Sequence, residues 1–227
     1  SIRPPHARFS EKQRGLPLPE KRGLPLPEKR AIPLAHIRPV HRKDARLKPT
    51  RIHVLHTGSV CVSPDLPFGG EICSPLKASG LFGRKPERLW LPVSAYLIEH
   101  PAGLVLVDTG WHRDMSPAGV LDKKAQIASL GSSLLYHINQ GVVPKGEAVI
   151  EQLEKMGIAP ADIDCVLVTH LDCDHVNGLS QVASAKRILA SADEIDSVRA
   201  NATARIRYQR RWWEGTGIEF FDWSGSK

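Results

Sequence analysis

Residues 169–178 read THLDCDHVNG, immediately after the apolar run Cys165, Val166, Leu167 and Val168. A short apolar run that ends in a polar cluster has the pattern of a buried strand opening into a loop. The loop gathers His170, Asp172, Asp174 and His175, with Gly178 to let the backbone turn. Crowded together in an empty site, such side chains repel one another and lose hydration, whereas a divalent cation makes each a favourable ligand. The spacing therefore asks for a metal; the plainer alternative is an acidic turn whose charges are solvated.

Upstream of this strand, Val149, Ile150, Leu153 and Met156 recur at helical spacing, Gly157 supplies a C-terminal cap and Pro160 blocks continuation. Further back, Val93–Glu99 and Gly103–Val107 predict a hairpin, its second strand ending at Asp108, Thr109 and Gly110. Residues 123–138 suggest one helix, and Ile52, Val54 and Val60–Val62 suggest strands followed by a Gly- and Pro-rich loop through Pro86. Downstream, Arg187–Ala190 reads as a strand, Ser191 and Glu194 as a capping box opening a helix toward Arg199, and Ile218–Phe221 as a further strand. Strands alternating with helices predict an α/β layered domain whose chemistry lies at the carboxyl ends of the strands.

The chain has 227 residues and a formal net charge of +7, with 41% hydrophobic and 24% charged residues, which excludes collagen-like and wholly disordered classes. No stretch approaches the roughly 18 uninterrupted apolar residues of a membrane helix. The cysteines at 61, 73, 165 and 173 form neither a CxxC pair nor a secreted disulfide framework, so a reducing cytoplasm is expected. Positive charge is concentrated in residues 1–50, where 13 Lys plus Arg face 4 Asp plus Glu. The same segment repeats GLPLPEKR at 15–22 and 23–30, with a degenerate copy, AIPLAHIR, at 31–38. Proline at alternate positions removes backbone donors, so 1–50 is read as a disordered or non-native basic arm and 51–227 as the folded part.

The folded part resembles the metallo-β-lactamase fold superfamily. HLDCDH at 170–175 is similar to its HxHxDH signature, written here HxDxDH, and LVDTG at 106–110 resembles its second signature, preceded by the hairpin YLIEHPAGLV. ADIDCVLVTH, 161–170, also falls where that fold places it. The resemblance covers about 51–221 and is strongest to the N-acyl homoserine lactonase-like branch. It implies an αβ/βα sandwich of the metallo-β-lactamase type, with only the first half to two thirds present.

The resemblance also implies a metal-dependent hydrolase of the quorum-quenching lactonase kind. His170 and Asp172 would hold a first metal, Asp174 and His175 a second, and Asp108 would hydrogen-bond a ligating histidine and fix its tautomer. The complete family site uses two ions, zinc first, whose hydroxide attacks a lactone or other ester-type carbonyl and is oriented by Asp174. Asp172 stands where most relatives have histidine, which brings iron or manganese into consideration. The family's later ligands include two further histidines, yet no histidine follows His175, and Asp193, Asp196 and Asp222 lack the expected context. A truncated chain with an uncovered apolar sheet face, prone to self-association, is the expectation. The reading from a different class is an inactive fragment with at most weak polyanion binding through residues 1–50.

Cys173 is read as a packing residue, and His112 as the remaining histidine nearest the site. RIRYQRRWW, 205–213, is basic with interleaved aromatics and is read as a helix with Tyr and Trp inward and its arginines in solvent or over rings. Nucleic acid and membrane are not expected partners; a small lactone or ester is.

Overall fold

A computed structural model of the chain describes residues 31–33, 49–69, 73–80, 87–200 and 202–224. Two long strands, β2 (Arg51–Val62) and β3 (Leu89–His100), pair antiparallel, and β3 turns through a tight hairpin into β4 (Gly103–Val107). From β4 the sheet continues in parallel through β6 (Cys165–Val168), β7 (Ile188–Ser191) and β8 (Glu219–Asp222). β5 (Gln140–Val142) closes the β2 edge, and β1 (Ile32–Pro33) runs parallel to β8 at the other. The eight-stranded order is β1-β8-β7-β6-β4-β3-β2-β5. Ile32 and Pro33 belong to the segment expected to be disordered and are instead paired with Phe221 and Asp222. The tandem repeat itself lies outside the described residues.

Side chains alternate across the sheet, as the two-residue period of a strand requires. Leu55, Val93, Ala95, Leu97, Leu106, Val166, Val168, Ile188 and Ala190 are buried in one core. In β2 the buried positions switch from Leu55 and Thr57 to Val60 and Val62 across a bulge between His56 and Ser59. Gly58 sits in that bulge at φ 103°, where an added Cβ would lie 2.1 Å from the Val142 carbonyl oxygen. One extra residue flips the facing of everything after it, so both halves of a 12-residue strand reach the same core.

The helices contribute their buried residues to that core: Leu130 of α3 (Lys123–Leu130), Leu135 of α4 (Ser133–Ile138), Val149 and Leu153 of α5 (Val149–Lys155), and Ile195 and Val198 of α7 (Ala192–Ala200). Two four-residue turns, α1 (Asp65–Phe68) and α2 (Pro75–Ala78), lie in the loop after β2. Residues 123–138 form two helices where one was expected, because Gly131 ends α3 in the left-handed conformation at φ 72° and Ser132 caps α4 with a bond from the Leu135 N–H. The opposite sheet face carries Ile52, Val54 and Tyr96, which stay exposed.

Candidate functional site

β4 and β6 are parallel neighbours, so Asp108 and Thr169 emerge side by side at their carboxyl ends. The Asp108 N–H still bonds the Leu167 carbonyl at 2.9 Å, extending the ladder by one residue. Its φ is then 58°, making Asp108 the one non-glycine residue with positive φ among the described residues. A left-handed turn at a residue with a Cβ costs free energy and persists where the surroundings over-determine it. Here the buried Asp108 carboxylate accepts from the Thr169 N–H at 2.8 Å, the Thr169 hydroxyl at 2.8 Å and His175 Nδ1 at 2.9 Å.

The two loops clasp each other further along. The His175 carbonyl accepts both the N–H and the hydroxyl of Thr109 at 2.9 Å, and the Gly178 N–H donates to the Gly110 carbonyl at 2.9 Å. A Cβ on Gly178 would stand 2.8 Å from the Thr109 carbonyl oxygen, so glycine is what lets the loops approach. Residues 173–176 form a single helical turn, α6 (Cys173–Val176), and not the extended loop expected from the sequence. Cys173 is nevertheless buried, with the Asn139 amide 3.3 Å from its sulfur, and burial pushes its thiol well up.

Both imidazoles are oriented through Nδ1. The Thr169 hydroxyl donates its proton to Asp108, so it accepts from His170 Nδ1 at 2.9 Å. His175 donates Nδ1–H to Asp108, and the two rings lie 3.9 Å apart between centroids. In its neutral form each ring is thereby left with its Nε2 lone pair available. His175 Nε2 is 3.6 Å from Asp174 Oδ2, and His170 Nε2 is 3.4 Å from Asp172 Oδ2.

The two carboxylates differ. Burial, with the charge of Asp172, pushes Asp174 above the usual range despite the pull of His175. Asp174 is therefore an anion short of positive charge. Burial also acts upward on Asp172, but the adjacent His170 ring and the guanidinium of Arg207 outweigh it and hold Asp172 low. Arg207, at the end of α8 (Ala202–Arg207), grips Asp172 with a fork: Nε lies 2.5 Å from Oδ1, and Nη2 contacts Oδ2. For His175, burial acts downward and is outweighed by Asp108 and the neighbouring carboxylates, so its pKa is raised.

A family model of the metallo-beta-lactamase superfamily matches residues 88–223. The chain belongs to this superfamily. Among curated relatives, the N-acyl homoserine lactonase AiiB of Agrobacterium fabrum is 33% identical over 106 residues, covering 46% of this chain and 34% of that protein. A "Probable metallo-hydrolase" of Mycobacterium tuberculosis is 28% identical over 119 residues, covering 52% of this chain and 35% of its own. The chain thus spans about a third of the length of these relatives. A crystal structure of Bacillus thuringiensis AiiA with N-decanoyl-L-homoserine bound shares the fold, with TM-score 0.57 and 15% identity, over 75% of this chain and 59% of that one. A probable metal-dependent hydrolase from Staphylococcus aureus matches with TM-score 0.52 at 22% identity, over 76% of this chain and 59% of that one.

In the superfamily's terms, the structure brings Asp108, His170, Asp172, Asp174 and His175 to one corner of the sheet. His112 lies beside it through its backbone, whose N–H donates to Asn177 Oδ1 at 2.9 Å, while its ring caps the Asp114 N–H. The donor chemistry of His170, Asp174 and His175 fits a divalent cation, by their free Nε2 edges and an under-compensated carboxylate. The geometry is less complete: among the described residues, no three His, Cys, Asp or Glu side chains converge as a ready metal shell. Thr169, unremarked in the sequence, orients both Asp108 and His170; its place directly before His170 was the available signal. Arg207 was expected in solvent or over a ring. It does lie 5.3 Å from the Tyr208 ring, but its guanidinium is on Asp172.

Proposed function

We propose that the chain carries the first ligand group of a metal-dependent hydrolase acting on a lactone or related ester. The observation that carries this reading is the pair of imidazoles fixed through Nδ1 by Asp108 and Thr169, beside the half-buried carboxylate of Asp174. His170, Asp174 and His175 would hold the cation, and Asp172 would join them when free of Arg207. The donors suit zinc, with iron or manganese favoured by an added carboxylate. When bound, the metal supplies Lewis-acid polarisation of a carbonyl and a water acidified toward neutrality.

The chain's own residues do the rest. Asp108 holds the proton on His175 Nδ1 and so leaves Nε2 as the basic, donor-facing nitrogen. Asp174 presents a carboxylate beside His175 Nε2, placed to orient the attacking water and accept its proton. The ester-type substrate is inferred from the lactonase relatives. The four free thiols support a reducing compartment such as the cytoplasm.

The test is elemental analysis of the purified chain with Asp174→Ala alongside, paired with lactone and ester hydrolysis before and after chelation. Bound metal that falls in the variant, with chelator-sensitive turnover, is the expected result. Equal metal content in both proteins sinks the ligand assignment. Metal without turnover favours the second reading, an inactive chain, which the incomplete ligand shell supports.

A further inference from the structure

Asp172 is 8% exposed, and its carboxylate is held by a two-point guanidinium fork. Both oxygens are engaged by the guanidinium, so a metal approaching this carboxylate has to compete with Arg207 for it. Arg207 itself is differently placed. Its side chain is 48% exposed and sits at the last residue of a short helix, and the aromatic face of Tyr208 is its other neighbour. It can swing into water at little cost, whereas Asp172 cannot follow: its backbone N-terminally flanks α6, and its carbonyl accepts from the His175 N–H at 3.0 Å. A buried carboxylate left without a cation is strongly unfavourable, so any departure of Arg207 requires another positive charge to take its place.

We propose that Arg207 is an internal competitor for the metal: its guanidinium is the cation of Asp172 when no divalent ion is bound, and metal entry at Asp172 displaces it. The proposal rests on the metal-binding reading given above and deepens it. The exchange is one cation for another. Arg207 stays protonated throughout, no bond is made or broken within the chain, and α8 is released from the ligand loop as the ion binds. The competition weakens metal affinity and ties the position of α8 to occupancy. It also accounts for the absence, among the described residues, of a three-ligand shell in a segment so dense in donors.

The experiment compares zinc affinity of the full chain and of Arg207→Gln by competition with a chelator of known affinity, at fixed pH and ionic strength. The glutamine variant is expected to bind zinc about tenfold more tightly or better, on the scale by which residues contacting ligands alter metal affinity. The gain should vanish in Arg207→Gln/Asp172→Asn. Equal or weaker binding by Arg207→Gln overturns the proposal while leaving the metal reading intact, and no binding by either protein overturns both. Should Arg207→Gln fail to fold, zinc titration of the unaltered chain with 15N detection of arginine Nε–H groups serves instead. The Arg207 resonance must leave its carboxylate-bonded position as zinc binds, and a resonance that stays put overturns displacement.

Discussion

Asp108 takes three donors on two oxygens, and each of them positions a part of the ligand loop. Replacing it with asparagine turns one acceptor into a donor facing the hydroxyl and imidazole donors, so His175 loses its fixed tautomer. Asp108→Asn should therefore lower zinc affinity by about 10- to 100-fold with little change in far-UV circular dichroism. Unaltered affinity would remove Asp108 from the site. A hydrogen bond between Asp108 and a histidine of the loop was legible in the sequence, because LVDTG and HLDCDH belong together in one family; that the histidine is His175 was not. Arg207 was not legible. It is 35 residues from Asp172 along the chain, and no periodicity in a basic, aromatic segment says which arginine will turn inward.

At the scale of elements, Arg113 joins the turn after β4 to α5. Its guanidinium contacts Glu151 Oε1 at 2.8 Å and Oε2 at 2.5 Å and donates to the carbonyls of Ser116, Val143 and Pro144. Glu151 also accepts from the N–H groups of Gly146 and Ala148, capping the start of the helix. Burial acts upward on the Glu151 carboxyl and is outweighed by Arg113 and these backbone donors, so it titrates below its ordinary value. A depressed carboxyl contributes stability that is present above its unfolded pKa and lost as pH falls through the folded one. Glu151→Gln should thus lower unfolding free energy at pH 7 by on the order of 2 kcal/mol. The difference should close only once pH has fallen through the depressed pKa, beneath the ordinary glutamate range. Urea midpoints above and below that range check this, and a pH-independent gap would contradict it.

Element boundaries were mostly legible from hydrophobic period. Cys165–Val168 and Gly103–Val107 are strands as read, and the helix beginning at Val149 stops before Gly157. The departures have local causes. Gly131 was overlooked as a stop inside 123–138. Glu194 was assigned to a capping box with Ser191, but its carboxylate bonds the Leu171 N–H at 3.0 Å instead, fastening α7 to the ligand loop. Tertiary partners outcompeted a local one, and no local pattern reports that.

For the whole molecule, the sheet presents an apolar face to solvent. Ile52 is 64% exposed, Val54 52% and Tyr96 41%, with Val54 directly opposite Tyr96 in the β2–β3 register. Contiguous exposed apolar surface promotes association. The chain should therefore sediment as larger species with rising concentration, and Val54→Lys should shift it toward monomer with little loss of unfolding free energy. Monomeric behaviour of the unaltered chain across that range would refute this. An exposed apolar face was expected from the family resemblance; the bulge at Gly58, which preserves the core along β2, was not.

The clasp between Asp108 and the ligand loop spans 61 residues to Thr169 and 67 to His175. The β3–β4 hairpin can zip up from its turn with neighbouring residues alone, but the corner must wait until β6 has docked in parallel from far along the chain. Closing so long a loop is entropically slow, and non-local parallel pairing comes late. The corner proposed to hold the metal is consequently a latecomer in folding and an early casualty of partial opening. Its amides should exchange hydrogen faster than those of the β3–β4 hairpin, and a bound ion would slow that exchange by locking the last step of assembly.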